Sequence, residues 1–183
     1  NGENSTGLTT FLLKPMVDAG DILIQREVTI GPDETAGELY ERMKLDGADV
    51  VCETVDDLAS GSLKPRPQDD GVSTPAPKLT KESGRIDWSR SAEEIRNLVR
   101  GTNPFPGAFT EWKSGILKIH RVSLADGAGP AGQVLEANSQ EGFVIAAGEG
   151  ALRLDSIQPQ GKKAMDGASF LLGNTVDVGE QFG

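Results

Sequence analysis

A proline-rich segment near the middle of the chain divides the sequence into two parts with different patterns. Residues 64–78, KPRPQDDGVSTPAPK, contain four prolines and no hydrophobic period. Such a segment is extended and fairly stiff, because each proline fixes φ and lacks a backbone N–H group. We therefore predict a first domain portion at 1–63, a linker at 64–81 and a second domain at 82–183.

Acidic residues are concentrated before this boundary. The formal net charge is −10, and residues 1–70 hold 6 Lys and Arg against 15 Asp and Glu, whereas residues 71–183 hold 12 against 13. The whole-chain charge argues against a nucleic-acid partner, but the near-neutral second part still permits a local basic face. Hydrophobic residues make up 37% of the chain, which is enough for a packed core.

The scarcity of cysteine and histidine restricts the possible sites. Cys52 is the single cysteine and His120 the single histidine. An internal disulfide and a cysteine-based metal cage are therefore excluded, and a triad would have to use His120, whose stretch ILKIHRV favours an ordinary strand residue. The sequence has no signal-peptide pattern and no run of ~18 apolar residues for a membrane span. We expect a reducing cytoplasm.

The first part reads as strand, turn, strand and helix. GLTTFLLKP and DILIQREVTI, at 7–15 and 21–30, have the composition of strands. Thr35 and Glu38 have the spacing of a capping box, and apolar residues continue at helical spacing to a Ser-Gly-Ser sequence. Gly47 either interrupts this helix or faces a neighbour. This order predicts the end of an α/β domain.

The second part begins with a helix and continues with strands. Ser91 and Glu94 form another capping box, and Gly101 is expected to end the helix. Its apolar stripe consists of Ile95, Leu98 and Val99. Short strand-like runs separated by Gly-rich turns, and a short helix in MDGASFLLG, are typical of a small antiparallel barrel of the oligonucleotide-binding type. The tail beyond this helix is weakly patterned.

The turn between the first two strands carries two carboxylates. Asp18 and Asp21 flank Ala19-Gly20. A carboxylate at a strand end, beside a glycine that lets a ligand approach the backbone, is well placed to transfer protons. The alternative is that both aspartates cap the turn through their own backbone, which is the commoner role of aspartate in turns. The spacing alone does not select a reaction.

Four short motifs occur in order along the chain. They are DAGD at 18–21 after GLT at 7–9, KLTKESGRIDWSRSAEEI at 78–95, NPFP at 103–106 and QPQGKKAM at 158–165. This order resembles the methionyl-tRNA formyltransferase family over nearly the whole chain. The family has an Asp-x-Gly-Asp turn after Gly-x-Thr and a lysine-rich approach to Ile-Asp-Trp-Ser. It also has an Asn-Pro-aromatic-Pro turn and a closing Gln-Pro-x-Gly-Lys-Lys-x-Met.

The resemblance implies a fold, a reaction and an active site. The fold would be α/β, the end of a Rossmann-like formyltransferase domain, followed by a C-terminal OB-like antiparallel β-barrel with helices. The reaction transfers a formyl group from 10-formyltetrahydrofolate to the amino group of methionyl initiator tRNA, without a metal. Asp18 would be the catalytic aspartate, whose carboxylate orients a histidine and stabilises its positive charge. The loop around substrate and folate would consist of Val17, Ala19, Gly20 and Asp21, the last supporting the turn.

The sequence departs from the family at its start. The family's catalytic Asn and His lie upstream, with a Ser-Leu-Leu-Pro loop, and this sequence does not contain them. His120 is not a substitute, because it lies in the second domain. We therefore expect the chain to be the C-terminal part of the enzyme, inactive alone, with a monomeric parent.

The resemblance also implies tRNA binding by the linker and the second domain. Lys and Arg along one face can follow phosphates without reading sequence, although any one lysine is more often simply solvated. The candidates are Lys78, Lys81 and Arg85 at the linker exit, Lys113, Lys118 and Arg121 on the first barrel strands, and Lys162 and Lys163 in the closing motif. Trp88 and Trp112 could stack on bases, but burial in a small core is the commoner role.

Two other functions remain open at this point. One is a formyltransferase or formyl-folate hydrolase that acts on a small molecule, against which the lysine-rich linker exit and the closing Lys-Lys argue. The other is a tRNA- or protein-binding module without catalysis.

Overall fold

The computed structural model describes residues 1–16, 19–113, 115–140 and 142–183. The chain forms two compact units. The N-terminal unit is Glu3–Lys78, and the C-terminal unit is Leu79–Gly183 together with Asn1–Gly2.

The N-terminal unit is a β-hairpin with one long helix. Strands β1 (Ser5–Phe11) and β2 (Ile22–Thr29) pair antiparallel, and helix α1 spans Ala36–Ser60. A short 3₁₀ turn, Asp70–Val72, lies in the proline-rich segment. The predicted strands and helix are confirmed in type and order.

The ends of α1 follow from local chemistry. The Thr35 hydroxyl accepts a hydrogen bond from the backbone N–H of Glu38, whose carboxylate accepts one from the Thr35 backbone at 2.8 Å. Gly61 ends the helix with a left-handed φ of 75°, which only glycine adopts readily. The helix is continuous through Gly47, where an added Cβ would lie 3.8 Å from Leu8, so this glycine faces β1.

The start of the proline-rich segment is attached to the hairpin. Ile22 and Arg66 exchange backbone hydrogen bonds of 2.7 and 2.8 Å, and the Gln68 amide donates to the Gly20 carbonyl at 2.7 Å. Part of the predicted linker is therefore anchored to the N-terminal unit, beside the turn that carries the aspartates.

The C-terminal unit is built on five antiparallel strands in the order β3-β4-β7-β6-β5. The elements are a 3₁₀ turn (Lys81–Gly84), α2 (Ala92–Thr102), β3 (Ala108–Trp112), β4 (Gly115–Ala125), β5 (Val134–Asn138), β6 (Gly142–Ala146), β7 (Ala151–Pro159) and α3 (Gly167–Gly173). The predicted fold class, an α/β portion followed by an antiparallel β domain with helices, is confirmed at this level.

Helix α2 starts where predicted and ends one residue later. Ser91 and Glu94 form the expected capping box. The helix continues to Thr102 because Gly101 keeps helical geometry, so the expectation that Gly101 ends it is wrong by one residue. Ile95 and Val99 are each 1% exposed and pack into the core, which is how the helix attaches to the sheet.

The C-terminal tail connects the two outer strands of the sheet. Glu180 accepts a backbone hydrogen bond from Val134, at the start of β5, and Gly183 donates one to Glu111 in β3. Phe182 is 2% exposed and stacks on Trp112 with ring centroids 6.1 Å apart. The tail thus covers the space between β3 and β5, although its sequence has little pattern.

Candidate functional site

The turn between β1 and β2 contains the predicted catalytic aspartate. Asp18 and its neighbour Val17 lie outside the described residues. The rest of the turn is tightly packed: an added Cβ at Gly20 would lie 2.0 Å from the Leu12 carbonyl oxygen, so only glycine fits there. Asp21 accepts a 2.8 Å hydrogen bond from the Lys14 ammonium, which holds the two strand ends together. Ala19 lies beside Gly20 and is half-buried.

Metal-binding clusters and membrane-spanning helices are both absent from the described part of the chain. Within those ranges, no group of three or more His, Cys, Asp and Glu residues could hold a metal ion. In the same ranges no helix has the length and apolar character needed to cross a membrane.

His120 links two turns of the C-terminal unit. It lies on β4, and its Nε2 is 3.1 Å from the side-chain oxygen of Gln158. The Gln158 amide donates to the Lys162 carbonyl, so its oxygen must accept from His120, which places a hydrogen on Nε2. The His120 carbonyl accepts a 2.8 Å hydrogen bond from the Asn103 side chain. His120 therefore joins the NPFP turn to the QPQGKKAM turn.

Three of the four motifs meet at one groove, which we call the motif groove. Its volume is about 510 Å³. It is lined by Lys81 from the linker exit, by residues 104–107 and 158–161, and by Phe109, Ile116 and Lys118 from β3 and β4. Motifs that are far apart in sequence thus form one surface of the C-terminal unit.

Close backbone packing fixes the walls of the motif groove. An added Cβ at Gly84 would lie 2.1 Å from the Gly107 carbonyl oxygen, so the 3₁₀ turn that carries Lys81 packs directly on the NPFP turn. The Ile86 N–H donates to the Phe109 carbonyl at 2.8 Å, and the Gln160 N–H donates to the Ile116 carbonyl at 3.1 Å. Each wall is therefore hydrogen-bonded to a strand of the sheet.

Phe105 is the unusual side chain of the motif groove. It lies between two prolines, each joined to the preceding residue by a cis peptide bond, and is 77% exposed. Sequence reasoning considered the tryptophans for base stacking, but Trp88 is buried with its indole N–H donating to Thr110, and Trp112 packs on Phe170 at 5.0 Å. Among the described residues that line the motif groove, Phe105 is the aromatic side chain that remains exposed, and the sequence alone did not single it out. Its signal was its place in a proline turn without a hydrophobic period.

Arg85 and Lys113, two of the predicted basic residues, have partners within the protein. The Arg85 guanidinium pairs with Glu111 at 2.9 Å and Glu82 at 3.1 Å, and hydrogen bonds from these two carboxylates raise its pKa above the ordinary value. It also lies 5.1 Å from the centre of the Phe109 ring. The Lys113 ammonium donates to the Thr175 carbonyl at 2.8 Å.

The other predicted basic residues differ in position. Lys81 and Lys118 are exposed and line the motif groove. Lys162 and Lys163 are exposed and follow Gly161, the last residue of its wall. Arg121 is exposed further along β4, and Lys78 is the exposed last residue of the N-terminal unit.

Two family models match the chain. The model described as formyl transferase, C-terminal domain, matches residues 78–175, and the one described as formyl transferase matches residues 1–55. The chain belongs to the formyl transferase family. All three motifs of the groove begin within the range of the C-terminal model, and the DAGD turn lies within the other.

Curated members of the formyl transferase family include close relatives of this chain. The methionyl-tRNA formyltransferases of Geobacter metallireducens and Citrifermentans bemidjiense are 40% and 42% identical to it over 183 residues. The match covers 100% of this chain and 58% and 57% of those proteins, so the chain spans less than two thirds of their length. The resemblance to methionyl-tRNA formyltransferases is thereby confirmed.

Solved structures share the fold of this formyl transferase chain. HypX from Aquifex aeolicus, in complex with tetrahydrofolic acid, is 20% identical with a TM-score of 0.69, over 98% of this chain and 34% of that one. An N-formyltransferase from Helicobacter canadensis, in complex with folinic acid and dTDP-3-aminofucose, is 18% identical with a TM-score of 0.65, over 86% and 57%. At these identities the likeness concerns the fold.

Proposed function

We propose that this chain is part of a methionyl-tRNA formyltransferase that acts in translation initiation in the cytoplasm. The enzyme transfers the formyl group of 10-formyltetrahydrofolate to the amino group of methionine on initiator tRNA. The observation that carries the proposal is 40–42% identity, over all 183 residues, to proteins of that name. The meeting of three family motifs at one groove supports it.

In this proposal the two units divide the work. Residues 1–63 are the end of the catalytic domain, residues 64–81 are a linker, and residues 82–183 are an OB-like domain that binds tRNA. The separation of compact units at Lys78 and Leu79 supports this division. The tail between β3 and β5 supports a barrel-like C-terminal domain, because it covers the space between the outer strands.

The proposed chemistry is direct acyl transfer. The methionine nitrogen attacks the formyl carbon, a C–N bond forms, and the tetrahedral intermediate collapses as the bond to the folate nitrogen breaks. The proton lost by the amine is returned to that folate nitrogen. Asp18 holds and charges a histidine supplied by the rest of the parent enzyme, whose Asn and His stabilise the oxyanion.

The loop around Asp18 would hold substrate and folate through its backbone. Gly20 lets the chain pack against Leu12, and the Lys14–Asp21 pair closes the turn, so the loop has a defined base. Val17, Ala19, Gly20 and Asp21 form that loop in the proposal. The folate ligands of the Aquifex aeolicus and Helicobacter canadensis structures support a folate co-substrate.

For tRNA, the structure favours some of the candidate cations over others. Lys81, Lys118, Lys162 and Lys163 are exposed at or beside one groove and are the contacts that we favour. Lys78 and Arg121 are exposed but do not line this groove, and they remain candidates. Arg85 and Lys113 are held by internal partners, so their contribution to phosphate binding should be smaller.

One rival function has specific support. The Helicobacter canadensis protein carries an amino sugar nucleotide, so a formyl transferase of this fold can serve a small amine. That protein is 18% identical to this chain, against 40–42% for the methionyl-tRNA formyltransferases. A tRNA- or protein-binding module without catalysis is the third possibility, and it would describe the chain in isolation.

Formyl transfer by the full-length parent separates these functions. The parent is given 10-formyltetrahydrofolate with methionyl initiator tRNA, with free methionine, or with a dTDP-amino sugar. We expect the parent to formylate the tRNA and neither of the other two acceptors. The 183-residue chain should formylate none of the three. Transfer to the sugar but not to the tRNA, or the absence of transfer to all three, would overturn the proposal.

A further inference from the structure

We propose that the motif groove is a subsite for one unpaired nucleotide of the RNA, whose base stacks on Phe105 while Lys81 and Lys118 contact the adjacent phosphates. This inference rests on the proposed function, because it deepens the statement that the C-terminal unit binds tRNA. It assigns an aromatic contact and a base conformation that phosphate binding alone does not require.

The exposed ring is the first argument. Phe105 is 77% exposed, although the same unit buries Phe109, Phe143, Phe170 and Phe182 to 4% or less. Its position is fixed by hydrogen bonds on both sides: Asn103 donates to the His120 carbonyl, and the Gly107 N–H donates to the Thr102 carbonyl. An exposed ring on a turn that is fixed by hydrogen bonds is well placed to stack on a flat ligand.

The charged side chains of the motif groove indicate which kind of ligand would bind beside the Phe105 ring. Among the described residues that line the motif groove, the charged side chains are Lys81 and Lys118, and both are cations. Glu82 and Glu111, the acids near the linker exit in sequence or on β3, pair with Arg85. The surface that surrounds the ring therefore favours an anion that also has a flat apolar face. A nucleotide has both, since every base offers a π-face and every phosphate a charge.

Stacking on Phe105 requires an unpaired base. The groove has a volume of about 510 Å³, which is in the ordinary range for ligand sites. A base inside a double helix has both faces covered by its neighbours, so it cannot also stack on a protein ring. A base in a loop, at a strand end or turned out of the helix has a free face.

Substitutions of Phe105 test stacking directly. The affinity of the 183-residue chain for initiator tRNA is measured at one fixed salt concentration for Phe105→Ala, Phe105→Leu and Phe105→Trp. We expect Phe105→Ala to bind about 5- to 100-fold more weakly, as is usual for loss of one base stack. Phe105→Leu should lose nearly as much, because leucine is apolar but has no ring face. Phe105→Trp should bind like the parent chain, and its fluorescence should be quenched.

Leu172 provides the matched control. It is 79% exposed in the same unit and is not among the residues that line the groove, so Leu172→Ala should leave tRNA affinity unchanged. Equal binding by Phe105→Ala and the unmodified chain would overturn the inference. Full binding by Phe105→Leu would also overturn it, since an apolar contact without stacking would then suffice.

Two further probes test the unpaired base and the occupant. Phe105→Ala should weaken binding of a single-stranded oligonucleotide and leave binding of an RNA duplex of equal length unchanged; equal loss on both would overturn the inference. Sedimentation tests the other possible occupant. A dimer of the unmodified chain that Phe105→Ala abolishes would assign the groove to a second copy instead of RNA, whereas the same monomeric state for both supports the RNA subsite.

The lysines are tested through the salt dependence. Lys81→Ala with Lys118→Ala should lower the slope of log affinity against log salt by roughly one to two. Lys44→Ala with Lys64→Ala removes the same charge from exposed lysines of the other unit, where Lys44 pairs with Glu41, and should lower the slope less. Equal slopes for the two double variants would overturn the phosphate contacts.

Failure of the inference can be told from failure of the proposed function. If neither the unmodified chain nor the full-length parent binds initiator tRNA, or the parent formylates a small amine instead, both are overturned. If the unmodified chain binds the tRNA and Phe105→Ala binds it equally well, the proposed function stands and the inference alone fails.

Discussion

The two units differ in how much apolar surface each of them buries. Among the residues that the structure describes, the buried hydrophobic ones of the N-terminal unit are Leu23, Val28 and Val50, whereas the C-terminal unit has one continuous core of eighteen buried residues. Large apolar side chains of the N-terminal unit remain at the surface: Phe11, Leu12, Leu13, Met16, Leu45, Val51, Val55 and Leu58. A hairpin and one helix cannot cover both of their apolar faces, because independent stability needs further strands or layers.

This difference teaches that secondary structure and stability are separate properties. Both units have well-formed helices with complete capping boxes. In the C-terminal unit, elements that are distant in sequence also pack against one another, and this packing excludes water from the core. The N-terminal unit has the predicted local structure, and we expect it to need another segment or chain to cover its exposed apolar side chains.

The largest expected effect is on protection from exchange. In a dilute monomer of the chain, amides of β1, β2 and α1 should exchange orders of magnitude faster than those of β4, β6 and β7, because little apolar burial opposes local opening. Hydrogen exchange with mass spectrometry measures this directly. Equal protection of the two units in a proven monomer would contradict the comparison and show that the hairpin and α1 are stable as they stand.

A core substitution in the tail sharpens the same comparison. Phe182 is 2% exposed and packs on Trp112 and Phe143, so Phe182→Ala should lower the free energy of unfolding of the C-terminal unit by about 3–5 kcal/mol. Urea denaturation followed by Trp fluorescence measures it. Leu172→Ala, at an exposed site of the same unit, should change it by less than about 0.5 kcal/mol. A small effect of Phe182→Ala would mean that the tail is not part of the core.

In the N-terminal part of the chain, the substitution with the largest expected effect on activity is at Asp18. In the full-length parent, Asp18→Asn removes the charge that supports the histidine while keeping the size of the side chain. We expect kcat to fall on the order of 100-fold or more, with the affinity for tRNA unchanged. Asp21→Asn is the matched control, and it should act mainly through the Lys14 pair. A rate for Asp18→Asn within a few-fold of the parent would return Asp18 to the turn-capping interpretation.

Local signals in the sequence predicted local structure correctly. Thr35 with Glu38 and Ser91 with Glu94 carry their own hydrogen-bond partners three residues away, so the helix starts needed no tertiary information. The pairing of Arg66 with β2 was not predictable, because it depends on which strand edge is free once the hairpin has formed. The end of α2 was misplaced because Gly101 ends a helix only when it adopts a left-handed conformation.

The site shows the same division. The motifs were visible in the sequence, but their meeting at one groove was not, since 78–95, 103–106 and 158–165 come together only once the sheet has formed. Phe105 was overlooked because exposure of an aromatic ring has no sequence period. Arg85 was indistinguishable from Lys81 until its partners Glu82 and Glu111 were located.

The smallest expected effect concerns Lys162 and Lys163, and it tests whether the two units also differ in their response to salt. Both lysines are exposed, and they follow the left-handed Gly161 at the rim of the motif groove. The surplus of acidic residues in the N-terminal unit opposes tRNA, so local cations of the other unit must supply the attraction. Each phosphate contact releases condensed counterions, and affinity therefore falls as salt rises.

Changing both lysines to alanine in the full-length parent should weaken tRNA binding and lower the salt slope by roughly one to two. Folate affinity should be unchanged, because the proposed folate loop belongs to the first part of the chain. Filter binding across a salt series measures the slope, with Lys44→Ala and Lys64→Ala together as the control. Equal slopes for the parent and the Lys162 and Lys163 variant would show that these lysines only interact with solvent.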